Sequence, residues 1–415
     1  MKGWIRHRTA PRRQRRNLLV LVVLVLVGAA LVHGLVGGSP PPYNGPPTWM
    51  LVGRMAVARQ GHVAVVLPGG EVLVAGGQDA HNQLLASAEL FDPRTRRWRR
   101  TGSLRVAQAP RAALLLTTGQ VLISGGYTGP SSPDAGPELY DPRRGTWAAA
   151  PALPPVPAHA LPHQGDYGWT AGLELTSLSD VGRGRVLALG GVRDPGVTQR
   201  YAYRYDARGH RWSAAAPPPL DGVAVRLHSG AVLDLGTTTD VGPPVWGAAR
   251  YDPRAGAWTT VAAPPFGGDP VVLSSGAVLI LSTETACGLL SLGGYLADCD
   301  LAPRAAVFDP HTGRWATTGG PGRWRASAVV AALGGGTVLV AGGDSKISFG
   351  GAYTTPVVDA ALYNPLTGAW RPTGSMATPR SDASAVLLPS GAVLVSGGMG
   401  PGNRILASAE LYTGR

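Results

Sequence analysis

Phenylalanine, lysine and cysteine are the rare residues of this 415-residue chain, which has four Phe, two Cys and only Lys2 and Lys346 for lysine. The shortage of Phe and Lys beside abundant Arg and Ala reflects genome composition and carries no function. Two cysteines cannot build a zinc site of the usual kind. Motifs of common enzyme chemistries are missing too, with no HExxH, no GxSxG and no P-loop. The nine His are scattered, His7 and His33 near the start, and the spacing of His62, His159, His163 and His228 demands no metal. Neither a metal nor a cofactor is expected.

Acidic residues are absent from residues 1–16, MKGWIRHRTAPRRQRR, which hold seven Lys or Arg. Of the formal charge of +12, the rest of the chain keeps only +5, from 30 basic and 25 acidic residues. No basic stripe marks that remainder, so a nucleic-acid partner is not expected. Glycine (59) and proline (37) are plentiful, yet 44% of residues are hydrophobic and apolar runs recur throughout, which excludes a disordered chain.

One apolar run is long. LLVLVVLVLVGAALVHGLV (18–36) suffices to cross a hydrocarbon core of about 30 Å as a helix. The positive-inside rule then predicts a cytoplasmic basic arm (1–16), a transmembrane helix or signal anchor (17–36) and an extracytoplasmic remainder, a single-pass membrane protein. A cleaved signal peptide is the alternative. Its apolar region is usually about 7–15 residues, VGAA offers a cleavage site and RRNLL resembles a twin-arginine signal; the length favours a retained anchor. Residues 37–47, GGSPPPYNGPP, read as a stiff linker. Cys287 and Cys299 suit an exported protein, because a bridge between them would close a 13-residue loop and stabilise by roughly 3 kcal/mol.

Beyond the linker the chain repeats itself. EVLVAGG, QVLISGG, RVLALGG, AVLDLG, AVLILS, TVLVAGG and AVLVSGG recur from 71 to 398. Each is followed by an irregular stretch and a strand carrying Phe91, Tyr140, Tyr205, Tyr251, Phe308, Tyr363 or Tyr412. Six of these aromatics lead through an Asp or Asn turn, five with proline next, to Trp98, Trp147, Trp212, Trp258, Trp315 and Trp370. Short runs of β-formers between such turns predict four-stranded antiparallel meanders, strands a to d. The seventh unit lacks its d strand. PTWMLVGRMAVAR (47–59) aligns with GAWRPTGSMATPR (368–380), so residues 48–52 are expected to complete the last sheet and close a ring.

Gly-Gly, Tyr or Phe and Trp in this order, with the first Trp intervals both 49 residues, resemble the kelch repeat, whose period is about 50. The resemblance covers 48–415 and implies an all-β, seven-bladed kelch-type β-propeller closed by its N-terminal strand, preceded by one transmembrane helix. More distantly the chain is similar to the propeller domain of galactose oxidase. That likeness implies a copper site of two Tyr and two His, with one Tyr crosslinked to Cys, and no position here carries those ligands over. Blades four and five depart from the pattern, with DLGTTTD and LILSTETAC in place of the double glycine.

The a–b and c–d connections are mostly short, with LSDVGRGR in blade three longer. The b–c connections are long: 78–86, 127–137, 192–199, 237–247, 283–303, 344–359 and 399–407. They share a face with the d–a crossings, and long loops on a rigid scaffold collect binding residues. Candidates at the starts of the a strands are Arg59, His62, Arg111, Asp166, Tyr167, Trp169, Asp221, Asp269, Arg325, Arg380 and Asp382, with Asp344 after a double glycine. Arg and Asp in such a ring suit a sugar, peptide or carboxylate, or they satisfy backbone groups where blades meet. Tyr167 and Trp169 suit sugar stacking or a hydrophobic plug. A binding or scaffolding module for a protein, peptide or glycan is the leading expectation. A mutarotase- or oxidase-like enzyme acting on carbohydrate is the alternative, and a structural role in an envelope complex is a third.

Overall fold

The computed structural model describes residues 47–127, 136–155, 173–194, 197–238, 245–282, 303–323, 325–347 and 354–414. Every repeated Val/Leu/Ile run forms strand b of a four-stranded antiparallel sheet, and seven such sheets lie among these residues. Their a strands are Val63–Val66, Ala113–Leu115, Leu173–Gly182, Asp221–Arg226, Gly268–Val272, Val329–Ala332 and Ser384–Leu387. Consecutive a strands touch and the seventh touches the first, so they line the axis of a closed ring.

The turn chemistry is local. Asp92, Asp141, Asp206, Asp252 and Asp309 each accept, at Oδ1, the amide two residues on at 2.8–3.0 Å, and Asn364 does the same for Leu366. These Asx turns reverse the chain between strands c and d. In all seven blades the c aromatic then lies against the d tryptophan, tilted, with centroids 4.7–5.1 Å apart. Such pairs contribute about 0.5–1.5 kcal/mol beyond their buried area. Five of the indoles also donate to a carbonyl ending the preceding blade: Trp49 to Gly374, Trp98 to Gly53, Trp147 to Gly102, Trp258 to Ala216 and Trp315 to Ala262, at 2.6–2.9 Å. One side chain thus binds its own sheet and staples it to the next.

The missing strand is where the repeat predicted it. Thr48–Val52 pairs antiparallel with Ala409–Thr413, setting Trp49 opposite Tyr412. Because this joint matches the six covalently continuous ones, Trp49→Ala is expected to cost as much as Trp147→Ala, about 3 kcal/mol each. Denaturant midpoints compare them, and a Trp49 variant as stable as wild type would mean that the strand is not seated.

Two expectations change. Blade three has no long b–c connection over 192–199. Its strands run as ten-residue ribbons, Arg185–Asp194 pairing with Val197–Asp206, and LSDVGRGR is mostly strand up to a tight turn at Arg183 and Gly184. β-Formers on both sides of 195–196 let the ladder continue where the other blades break it. The second change concerns localisation. Among the described residues no helix is long and apolar enough to cross a membrane; the one helical element is the 3-10 turn Pro401–Asn403. That finding runs against the expected single-pass placement, and the preceding transmembrane helix has no support among the described residues. The arm, the run 18–36, the linker up to 46, and Cys287 with Cys299 all lie outside the described residues.

Candidate functional site

The double glycines build the joints between blades. Gly77, Gly343 and Gly398 adopt φ of +94°, +85° and +89°, which side-chain-bearing residues rarely take. Their N–H groups donate to Gln108, Arg380 and Arg59 of the following blade at 2.8–2.9 Å. Those acceptor residues then turn back into the joint. Arg59 donates to the carbonyls of Gly76 and Ser87, to Ser87 Oγ and to Glu89 Oε1, all at 2.9–3.0 Å. Arg380 repeats the set with Gly397, Ser408 and Glu410 at 2.8–3.2 Å. Each glutamate also caps the two amides of the bend before its arginine, Ala56 and Val57 for Glu89, Ala377 and Thr378 for Glu410. In blade two Gln108 replaces the arginine and still donates to Glu138 at 3.0 Å.

These contacts sort the candidates. Arg59 and Arg380 are fully buried and committed to the joints. His62 lies in the seam between blades one and seven, its Nε2 3.2 Å from Ser396 Oγ. Burial and the charge of Arg59 hold its pKa down at about 3, so the ring is neutral. Arg111 is ion-paired across the seam to Glu174 of blade three at 2.6 Å. Asp166, Tyr167 and Trp169 lie outside the described residues.

The remaining candidates gather on blades four to seven, at the ends of the innermost strands on the face of the long connections. Asp221 opens strand a of blade four and Asp269 is second in that of blade five. Asp344 follows the glycines of blade six and bridges Ala326. Asp382 precedes strand a of blade seven at φ +50°. Burial pushes the Asp382 carboxyl up to about 6, helped by the charge of Asp344 and opposed by a hydrogen bond with Ser327. Burial alone brings Asp269 to about 6. Asp269 and Arg325 line one small pocket at the seam of blades five and six, of about 20 Å³, which Arg304 and Arg323 also border.

Two kinds of residue escape the sequence reading. The joint glutamates Glu89, Glu138 and Glu410 follow Arg59, Gln108 and Arg380 by thirty residues each; a repeat alignment reading AEL, PEL and AEL, with AAL in blade six, carries that signal. Asp234 is the other. It stands in strand b of blade four where blades one, two, five, six and seven have Val or Ile, and it is 1% exposed. Burial, then the charge of Asp221, raise its carboxyl to about 7 against the opposing pull of Arg200.

The Kelch motif family matches residues 61–105. A solved structure described as a novel fungal alcohol oxidase with catalytic diversity among the AA5 family, in complex with copper, is 16% identical with a TM-score of 0.61; the match covers 89% of this chain and 76% of that one. No curated protein matches the chain.

Proposed function

Because the chain is a kelch-repeat β-propeller distantly like galactose oxidase, we propose that it acts as a binding or scaffolding module, holding a protein, peptide or glycan on the face of its long connections. The character of the rim supports this reading. On that face the pocket between blades five and six is small, about 20 Å³, and its charge is mixed, three Arg facing one Asp. A substrate-enclosing site runs to several hundred cubic ångströms with its reactive groups converging inside. On the same face Asp221 of blade four and Asp382 of blade seven, each partly exposed, are placed to accept from a ligand rich in hydroxyl, amide or ammonium donors.

Oxidase chemistry has weaker support. The copper of the fungal relative does not fit here, since among the described residues no three His, Cys, Asp or Glu side chains gather around a point that could hold a metal. His62, in the joint of blades one and seven, already engages Ser396 through its Nε2.

Glycan and peptide arrays probed with the chain test the proposal. Asp382→Asn and Asp221→Asn are each expected to weaken the best ligand about tenfold, the loss of one good polar contact. Unchanged affinity in both, with loss on substituting the opposite face, would transfer the site there.

A further inference from the structure

Blade six has lost one member of the joint that blades one, two and seven keep. Arg325 occupies the place of Arg59 and Arg380, donating to the carbonyls of Gly342 and Asp359 at 3.4 and 2.6 Å as they do to Gly76 and Ser87, or Gly397 and Ser408. The carboxylate is missing. Glu89 stands opposite Val74, and Glu410 opposite Val395; the residue opposite Val340 in blade six is Ala361. Arg325 is 6% exposed, and where Arg59 and Arg380 each meet a glutamate through Nη2, no carboxylate among the described residues lies within ion-pair reach of it. Asp359, whose charge acts on Arg325, turns its Oδ2 to Arg323 at 3.5 Å. By repeat position, the bend amides that the glutamate caps elsewhere are those of Gly322 and Arg323, and no described side chain caps them.

A small cavity lies beside the position of the missing glutamate. The pocket of about 20 Å³ is lined by Arg325 and by Val340, the cross-strand neighbour of Ala361. The geometry points to a carboxylate receptor in blade six: a ligand carboxylate takes the place that Glu89 and Glu410 fill from within the chain. It would meet the guanidinium of Arg325 and the bend amides, a charge-assisted arrangement that the protein builds for Glu89 and Glu410 and, with Gln108 in place of the arginine, for Glu138. Asp269 is the one acid among the lining residues and works against an anion. Carboxylates come as free small acids or as acidic side chains of a peptide; the chemistry of the slot is the same for both. This inference rests on the binding-module reading of the same face.

The test titrates the full chain, at constant ionic strength, with sodium acetate and with the capped peptide acetyl-Gly-Gly-Glu-Gly-Gly-amide, followed calorimetrically. Saturable binding of either probe is expected, acetate sufficing if small acids are the ligands and the peptide binding at least tenfold more tightly if acidic side chains are. Ala361→Glu should fill the slot from within, abolish binding of both probes and raise the melting temperature. Arg325→Gln, the exchange that Gln108 represents in blade two, should weaken binding at least tenfold in a folded protein. Absence of saturable binding to wild type, or wild-type affinity in Ala361→Glu, overturns the receptor. Since the array test turns on Asp382 and Asp221 instead, ligands lost there but found here would sink the module reading alone, and the converse would sink the slot alone.

Discussion

Asp234→Asn is expected to stabilise the folded chain at pH 8 by up to about 4 kcal/mol and to leave it nearly unchanged at pH 4. The size follows from a carboxyl raised from its ordinary 3.8 to about 7, at about 1.4 kcal/mol for each unit. The sign follows from proton linkage. Between these two values the folded state holds a proton that the unfolded state has released, so the neutral Asp234 contributes stability that is complete below pH 4 and lost as the pH climbs to 7. Asparagine never ionises and has nothing to lose. Nearby charges act in opposite directions, Asp221 adding to the raised value and Arg200 reducing it, so the full 4 kcal/mol is an upper bound. Denaturant titrations of both proteins at pH 4, 6 and 8 measure the difference, and parallel profiles would remove Asp234 as the titrating group.

Glu410→Ala is expected to be the most damaging single change at a joint, at about 3–5 kcal/mol, because it strands the fully buried guanidinium of Arg380. Two bend amides, Ala377 and Thr378, lose their caps in the same step. Arg380→Gln should be far milder, since Gln108 already serves Glu138 in that position. Thermal melts of the two variants give the contrast. A Glu410→Ala protein melting with Arg380→Gln would mean that the guanidinium finds water, as the pocket beside Arg325 permits in blade six.

The ring was legible before its joints were. Apolar runs, turn aspartates and tryptophans are local signals with a fixed order, and the absent tryptophan after Tyr412 sufficed to place Trp49 beside it. Blade three was harder to read. Its turn residues lie where the other blades have loops, and only the ladder through Arg193 and Thr198 reveals that the strands continue. Charged residues were the least legible class. Arg59 and Arg380 look like rim residues when their partners, thirty positions downstream, are not considered, and burial cannot be read from an arginine's neighbours in sequence. Asp234 carried a visible signal, a charge inside a Val/Leu strand, but whether such a residue is a loop end or a buried carboxyl depends on the blade packed over it.

The pairing of Thr48 with Thr413 also sets the order of events during synthesis. Strand 48–52 leaves the ribosome first among the described strands, but its partner is made 357 residues later, after the other six sheets. Until then its amides have no native mate and Trp49 lacks Tyr412, and the loop to be closed is nearly the whole chain. Contacts so remote make for slow folding and a long-lived open ring with two exposed strand edges. The last step of folding is thus the meeting of the first strand with the last, and a chain interrupted anywhere before residue 409 is left with an edge that any neighbouring strand can extend.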